Sequence, residues 1–291
     1  MASGVSSFRI RETLVPNQFP LNGCRAVITG ASSGLGAEFA RQLAPVAEAF
    51  LLTARRGELL EALKAELLAA KPGLVVECCP CDIATAEGRE TLVAAIDRTS
   101  FKPNLLINNA GHGDYGTFLS AAPERVESQI DLNVTALVLL TQKMVPRLVR
   151  SAGRPAAILN VSSLASMIPL PDNAVYAATK AFVTSFSEAM RVEFAAEHVL
   201  VTATCPGPTA TGFCHVARRS AGEDTDRSLD GVLRLPPQEV VRQSIAALAG
   251  GKAVLFPGWG VTGAGWLFRV APRPLLRWLL RRRFAKAHPP T

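Results

Sequence analysis

Seven short apolar runs, separated by segments of helical periodicity, constrain this chain more than any other feature. The runs are CRAVITG (24–30), AFLLTA (49–54), LVVECC (74–79), NLLIN (104–108), AAILNVSS (156–163), VLVTATCPG (199–207) and AVLFPG (253–258). Most are apolar almost throughout and lack the in–out alternation of a half-solvated strand. Strands of that kind are buried on both faces, which calls for a parallel sheet covered by helices on each side. Helical spacing fills the gaps, in LGAEFARQLAPV, RRGELLEALKAELLAA, AEGRETLVAAIDRT, a long stretch from Pro123 to Arg150, residues 176–197 and PQEVVRQSIAALAG. The expected fold class is α/β, a single doubly wound domain around a seven-stranded parallel sheet. We expect an N-terminal extension over 1–20, the catalytic domain over 21–258 and a tail over 259–291. Residues 208–236 break the rhythm after a strand's carboxyl end, where such folds bind ligands.

With 48% hydrophobic and 19% charged residues, the 291-residue chain can bury a sizeable core and is not a disordered polymer. The first 23 residues carry no apolar run of signal-peptide length, and position 2 is Ala, which excludes N-myristoylation there. No stretch of about 20 uncharged apolar residues suggests a spanning helix. The net charge of +7 is unevenly distributed. Residues 240–291 hold nine Lys or Arg and no acid, which leaves 22 basic against 24 acidic residues before them. A nucleic-acid binder spreads basic and aromatic side chains over its fold. Only 6% of this chain is aromatic, so nucleic acid is not an expected partner. The cluster CCPCD contains Cys78, Cys79 and Cys81, but no second pair at zinc spacing follows it, and no metal site is expected. With Cys24, Cys205 and Cys214 these read as reduced thiols, and the protein as cytoplasmic.

Between the first run and the first helix lies VITGASSGLGAEFA, with Gly30, Gly34 and Gly36. This is the context of a Rossmann-type dinucleotide turn. The glycines permit a tight turn and close approach of a pyrophosphate, and the helix N-terminus presents free N–H groups. Ser32 and Ser33 add hydroxyls, and Leu35 completes the turn residues expected along the cofactor. The second run ends LLTARRG, without the acid that binds a ribose hydroxyl in NAD-specific sites. Ala54 removes a repulsion, and Arg55 can pair with a 2′-phosphate. NADP(H) is therefore expected over NAD(H). Arg56 reads as the start of a solvated helix face.

These features resemble the short-chain dehydrogenase/reductase family over roughly residues 20–257. TGASSGLG is similar to its glycine motif, and CDI, with Asp82 and Ile83, to its adenine-contacting segment. NNAG, with Asn108, Ala110 and Gly111, resembles its fourth-strand motif. DLNVTA with Asn133, NVSSLAS, YAATK and CPGPTAT follow in order. The resemblance implies hydride exchange between NADP(H) and a carbonyl/alcohol pair. It assigns the active serine to Ser163, 13 positions before Tyr176, and leaves Ser162 behind it. It puts Asn133 at a relay water behind Lys180, and Pro206, Gly207 and Thr209 along the nicotinamide. It also suggests a homo-oligomer built through the helices starting near Pro123 and Tyr176.

Tyr176 and Lys180 stand four residues apart, on one face of a helix. A free tyrosine titrates near 10. A nearby cation favours the phenolate, and lowering its pKa by two to three units needs roughly 3–4 kcal/mol of differential stabilisation. That brings Tyr176 into range for general acid–base work, with Ser163 holding the substrate oxygen and Lys180 also binding the nicotinamide ribose. LASMIPLPDNAV (164–175) is largely apolar and points to a hydrophobic or lipid-like substrate. His112, Asp114 and Tyr115 lie in a loop without an assigned role.

Two other readings stay open: an NADP(H)-binding sensor or scaffold without turnover, and an epimerase or dehydratase working through a transient keto intermediate. In the tail, Leu275, Leu276, Leu279 and Leu280 share one helical arc, with Phe284 close by. Arg277, Arg281, Arg282, Arg283 and Lys286 surround them. This basic amphipathic helix suits either an anionic membrane surface, with the protein held there peripherally, or packing on its own domain or a second subunit.

Overall fold

The computed structural model describes residues 18–99, 101–150, 155–209, 217, 219 and 233–288. Most of the 208–236 insert, the first 17 residues and Cys214 lie outside the described residues.

The seven apolar runs form strands β1 (Arg25–Thr29), β2 (Ala49–Ala54), β3 (Val75–Pro80), β4 (Leu105–Asn108), β5 (Ala156–Val161), β6 (Val199–Thr204) and β7 (Val254–Leu255). They make one sheet in the order β3-β2-β1-β4-β5-β6-β7, parallel at every pairing. The order reverses between β1 and β4. Consecutive strands there lead to opposite sides, which opens a crevice at the carboxyl ends.

Helices α1 (Gly34–Leu43), α2 (Gly57–Ala70) and α7 (Pro237–Ala249) cover one face. Helices α3 (Ala86–Arg98), α4 (Pro123–Ile130), α5 (Leu137–Arg150) and α6 (Ala174–Glu193) belong to the other. The two-residue period of a strand sorts the side chains. Phe50 and Leu52 of β2 join Phe39, Leu43, Leu60 and Leu63 in one core, while Leu51 joins Leu92, Ile96, Leu140 and Met144 in the other. Truncating a fully buried leucine such as Leu52 to Ala costs about 2–5 kcal/mol.

The stretch from Pro123 to Arg150 is not one regular helix. Residues Asp131–Ala136 form a π-helical turn between α4 and α5. Asn133 sits in that turn, and its buried amide exchanges hydrogen bonds with the main chain of His112. A wide turn of this type shifts one side chain out of helical register and is frequent at functional sites.

After β7 the chain adds α8 (Trp259–Val270) and α9 (Arg273–Ala287). Val261 of α8 packs with Leu164 and Leu233, and Phe256, Ala264 and Phe268 lie against them. The leucines expected on a single arc of α9 divide. Leu276 is buried and Leu280 half-buried, whereas Leu275 and Leu279 are exposed. A helical wheel fixes which residues are neighbours, but the packing partner meets only one edge of a broad arc. At the far end of α9, His288 Nε2 lies 3.1 Å from both carboxylate oxygens of Asp172.

Candidate active site

Strand β1 ends at Thr29 and enters the glycine turn. Gly30 has φ +66, a left-handed backbone that favours glycine. A Cβ on Gly36 would stand 2.3 Å from the Gly30 carbonyl oxygen, so the turn closes only with glycine there. The N-cap of α1 is Ser33, whose side chain does not cap the helix. The first N–H groups of α1 therefore stay available to an anion.

The turn is braced from β4. Thr29 Oγ1 accepts from the backbone N–H of Asn109 and of Ala110, both at 3.0 Å. Asn109 Nδ2 donates to the carbonyls of Thr29 and Gly30 at 2.9 and 3.2 Å. Thr29 and Asn109 thus lock the two motifs together. Neither was singled out in the sequence, although both stand inside TG and NNAG. Asn108 is buried and donates to Thr141 Oγ1 and Asn160 Oδ1, and Asn160 donates to Ser187. It supports the site from within the core instead of contacting a cofactor with its side chain.

Of the two arginines after β2, it is Arg56, expected on a solvated helix face, that contacts the glycine turn. Arg56 Nη2 donates to Ser32 Oγ and Ser33 Oγ at 3.0 and 2.9 Å, which lays its guanidinium across the glycine turn. Arg55 is exposed and makes no such contact with the serines. Arg56, at the extended N-cap of α2, is therefore more than a solvated helix face. Asp82 accepts from the Ala84 N–H at 3.0 Å and so shapes the turn after β3. The Ile83 side chain is buried in the core, which leaves only its main chain for a ligand.

Ser163, Tyr176 and Lys180 come from the end of β5 and the first turns of α6. Ser162 is buried. It donates to the Lys180 carbonyl at 2.8 Å and pairs with Thr184 Oγ1 at 2.7 Å. Ser163 is half-buried, and its Oγ accepts from the Ala165 N–H, which leaves its O–H proton for a substrate oxygen. The geometry favours Ser163 of the two. Lys180 Nζ lies 5.9 Å from the Tyr176 ring centroid and donates to the Val161 carbonyl at 2.8 Å. Burial pulls the lysine pKa down to about 8, with neighbouring Cys205 opposing part of that effect. At pH 7 most of the ammonium keeps its charge.

Gly111 sits at this junction. A Cβ there would come within 2.9 Å of Asn133 Oδ1 and 3.3 Å of Lys180 Nζ. The Asn133 side chain bonds His112 as above and donates to Thr179 Oγ1 at 3.1 Å, which uses both N–H donors and one of the two lone pairs of Oδ1. After β6, Pro206 and Gly207 turn the chain. A Cβ on Gly207 would meet the Leu233 carbonyl at 2.6 Å. Thr209 Oγ1 donates to the Gly207 carbonyl at 3.1 Å, which leaves its lone pairs for a ligand.

One cluster was not legible beforehand. Asp114 is buried between two arginines: Arg219 donates through Nε and Nη2 at 3.1 and 2.6 Å, and Arg125 through Nε at 2.8 Å. Burial would raise the carboxyl pKa, but the bonds to Arg219 and Arg125 outweigh it and hold the group below its usual value. Arg219 also donates to the Thr117 carbonyl, and Gly116 N–H donates to the Asp172 carbonyl. The 112–120 loop, Arg219 of the insert and the wall before Tyr176 are thereby joined. His112 Nε2 lies 3.1 Å from Ser128 Oγ.

The chain matches the family model for short chain dehydrogenase over residues 25–221. It is 34% identical over 224 residues to sulfoacetaldehyde reductase of Chromohalobacter salexigens, covering 74% of this chain and 84% of that protein. Serine 3-dehydrogenase of Agrobacterium fabrum is 33% identical over 210 residues, or 71% of this chain and 80% of the relative. Among solved structures, a short-chain dehydrogenase from Sphingobium yanoikuyae in complex with NADPH aligns with TM-score 0.71 and 27% identity over 92% of this chain and 96% of that one.

Proposed function

Because the chain belongs to the short-chain dehydrogenase family, oxidoreductases acting on CH–OH groups, we propose that it interconverts a hydrophobic carbonyl compound and its alcohol with NADP(H). The observation that carries this reading is the buried Lys180 ammonium beside Tyr176, at the end of a crevice opened by the glycine turn.

The donor set suits NADP(H). Uncapped N–H groups of α1 suit the pyrophosphate, and Arg56 with Ser32 and Ser33 suits a 2′-phosphate. When bound, the nicotinamide supplies or takes up the hydride. Ser163 holds the substrate oxygen by hydrogen bond. Tyr176 gives that oxygen a proton in reduction and withdraws it in oxidation. Lys180 stabilises the phenolate form electrostatically, and Asn133 keeps Gly111 and the 112 loop seated against it. The apolar segment 164–175 supports a hydrophobic substrate.

A groove of about 450 Å³ between Phe118, Ile130, Val134, Val175, Ala178 and Phe182 supports self-association through α4 and α6. We place the protein in the cytoplasm. No helix among the described residues is long and apolar enough to cross a membrane, and an anionic membrane surface is the candidate partner of the tail.

The reading is tested with NADPH carrying deuterium at nicotinamide C4, supplied with long-chain and polycyclic ketones. One deuterium on the carbinol carbon of the product supports simple reduction. An isomerised or dehydrated product with no net NADPH consumption would replace it with epimerase or dehydratase chemistry. Tight NADPH binding with no conversion of any ketone would point to a sensor.

A further inference from the structure

We infer that the outward faces of α8 and α9 form one surface that seats the protein on anionic lipid, with the substrate mouth held beside it. The second half of this inference rests on the hydrophobic-substrate reading; the first stands on the surface alone.

On α8, Trp259 is 81% exposed, Trp266 60% and Val270 71%, and Leu267 and Gly263 are exposed with them. At about 100° per residue these five positions fall within one arc of roughly 100°. No charge lies in that arc. A Cβ at Gly263 would meet nothing within 4 Å, so none of the described residues covers it. The opposite side of α8 is buried against Leu164 and Leu233. Arg269 lies 4.0 Å from Glu188 of α6.

On α9 the division is similar. Leu276 faces the body, while Leu275, Trp278 and Leu279 are about half exposed. The Arg282 guanidinium lies 3.8 Å over the Trp278 ring. Arg282 and Lys286 fall within the arc of Leu275, Trp278 and Leu279, Arg273, Arg277, Arg281 and Arg283 are exposed beside it, and no acid follows Glu239.

All three tryptophans of the chain are exposed on these two helices. An indole is amphipathic and settles at the boundary between acyl chains and headgroups, and guanidinium groups pair with phosphates there. The helices have 12 and 15 residues, a length for lying in the interface and not for spanning it. A second copy is a poor occupant, because two faces that each carry an excess of cations repel one another. Lipid of negative charge satisfies both the apolar arc and its rim.

The surface adjoins the reaction site. Leu164, against which α8 packs, follows Ser163 directly, and His288 at the end of α9 contacts Asp172 in the segment leading to Tyr176. A substrate dissolved in the bilayer is thereby brought to the mouth.

The test uses the full chain with vesicles of phosphatidylcholine, with and without about 30% phosphatidylserine. Co-sedimentation with the anionic vesicles alone is expected, weakened by high salt and accompanied by a blue shift of tryptophan emission. Trp266→Ser/Trp278→Ser/Leu279→Ser should lower the bound fraction roughly tenfold or more, as should Arg281→Glu/Arg283→Glu. NADPH affinity should hold in both, because none of these residues borders the glycine turn. Absence of vesicle binding, or binding unchanged in both variants, overturns the docking. So does conversion of an oligomer to a monomer by the same substitutions without vesicle binding, which would make the face a protein contact. Ketone turnover is assayed alongside without lipid, so loss of docking and loss of the reductase reading register separately.

Discussion

The Lys180 ammonium lies 5.9 Å from the centroid of the Tyr176 ring and is tied to the Val161 carbonyl at 2.8 Å. Burial sets its pKa at about 8. The charge that favours the phenolate is therefore present at pH 7 and fades as pH rises through about 8. We expect kcat/KM for carbonyl reduction to decline above that pH. A profile flat to pH 10 would show that the charge on Lys180 is not needed or not lost.

The same burial has a stability consequence. The lysine pKa falls from an unfolded value of 10.5 to about 8 on folding. Between those values the unfolded chain binds more protons, so the stability of the apoprotein rises with pH across that window. At pH 7 the buried charge costs about 3 kcal/mol, part of which its bond to Val161 offsets. Lys180→Met should therefore raise the apoprotein Tm at pH 7 by a few degrees while turnover falls by orders of magnitude. A lower Tm would show that the bond to Val161 outweighs the burial of charge.

The two adjacent serines separate chemistry from support. Ser163→Ala should lower kcat about 100-fold or more with little change in Tm if, as proposed, its hydroxyl holds the substrate oxygen. Ser162→Ala should cost about 1–2 kcal/mol of stability, since it leaves the Lys180 carbonyl and Thr184 short of a partner, with a milder effect on kcat. Steady-state kinetics beside thermal denaturation would reveal the opposite ranking.

Arg56→Ala should weaken NADPH binding about 10- to 100-fold and leave NADH nearly unchanged, whereas Arg55→Ala should have a smaller effect. Fluorescence titration with both cofactors decides it. Equal losses for NADPH and NADH would show that Arg56 only braces the turn.

Asp114→Asn removes the charge that joins Arg125 and Arg219. Because this carboxyl's pKa is depressed on folding, its contribution to stability is present above about 4 and lost at lower pH. At pH 7 the variant should raise the KM for the carbonyl substrate more than it lowers kcat. Unchanged KM would show that the 112–120 loop does not shape the substrate mouth.

The sheet was legible because most of the strands are apolar almost throughout, and the glycine turn because strand, glycines and helix occur in immediate succession. Tyr176 and Lys180 were legible from the set of motifs around them and not from their spacing alone, and the structure brings them together. Less was readable where a choice depended on chain direction. Whether Arg55 or Arg56 reaches Ser32 and Ser33 depends on how the backbone leaves β2, and Arg56 does so as the extended residue before α2. The π-helical turn at Asn133 follows from its long-range bonds to His112, which no local periodicity announces. The division of the α9 leucines depends on where the body lies, and the apolar stripe of α8 was not singled out at all.

The central claim is that Tyr176 passes a proton to a substrate oxygen while NADPH is consumed. The direct measurement is single-turnover NADPH oxidation with long-chain and polycyclic ketones, comparing the wild type with Tyr176→Phe at matched cofactor saturation. The account predicts turnover in the wild type and loss of about 1,000-fold or more in the variant, with NADPH affinity intact. Turnover that survives in Tyr176→Phe would contradict it.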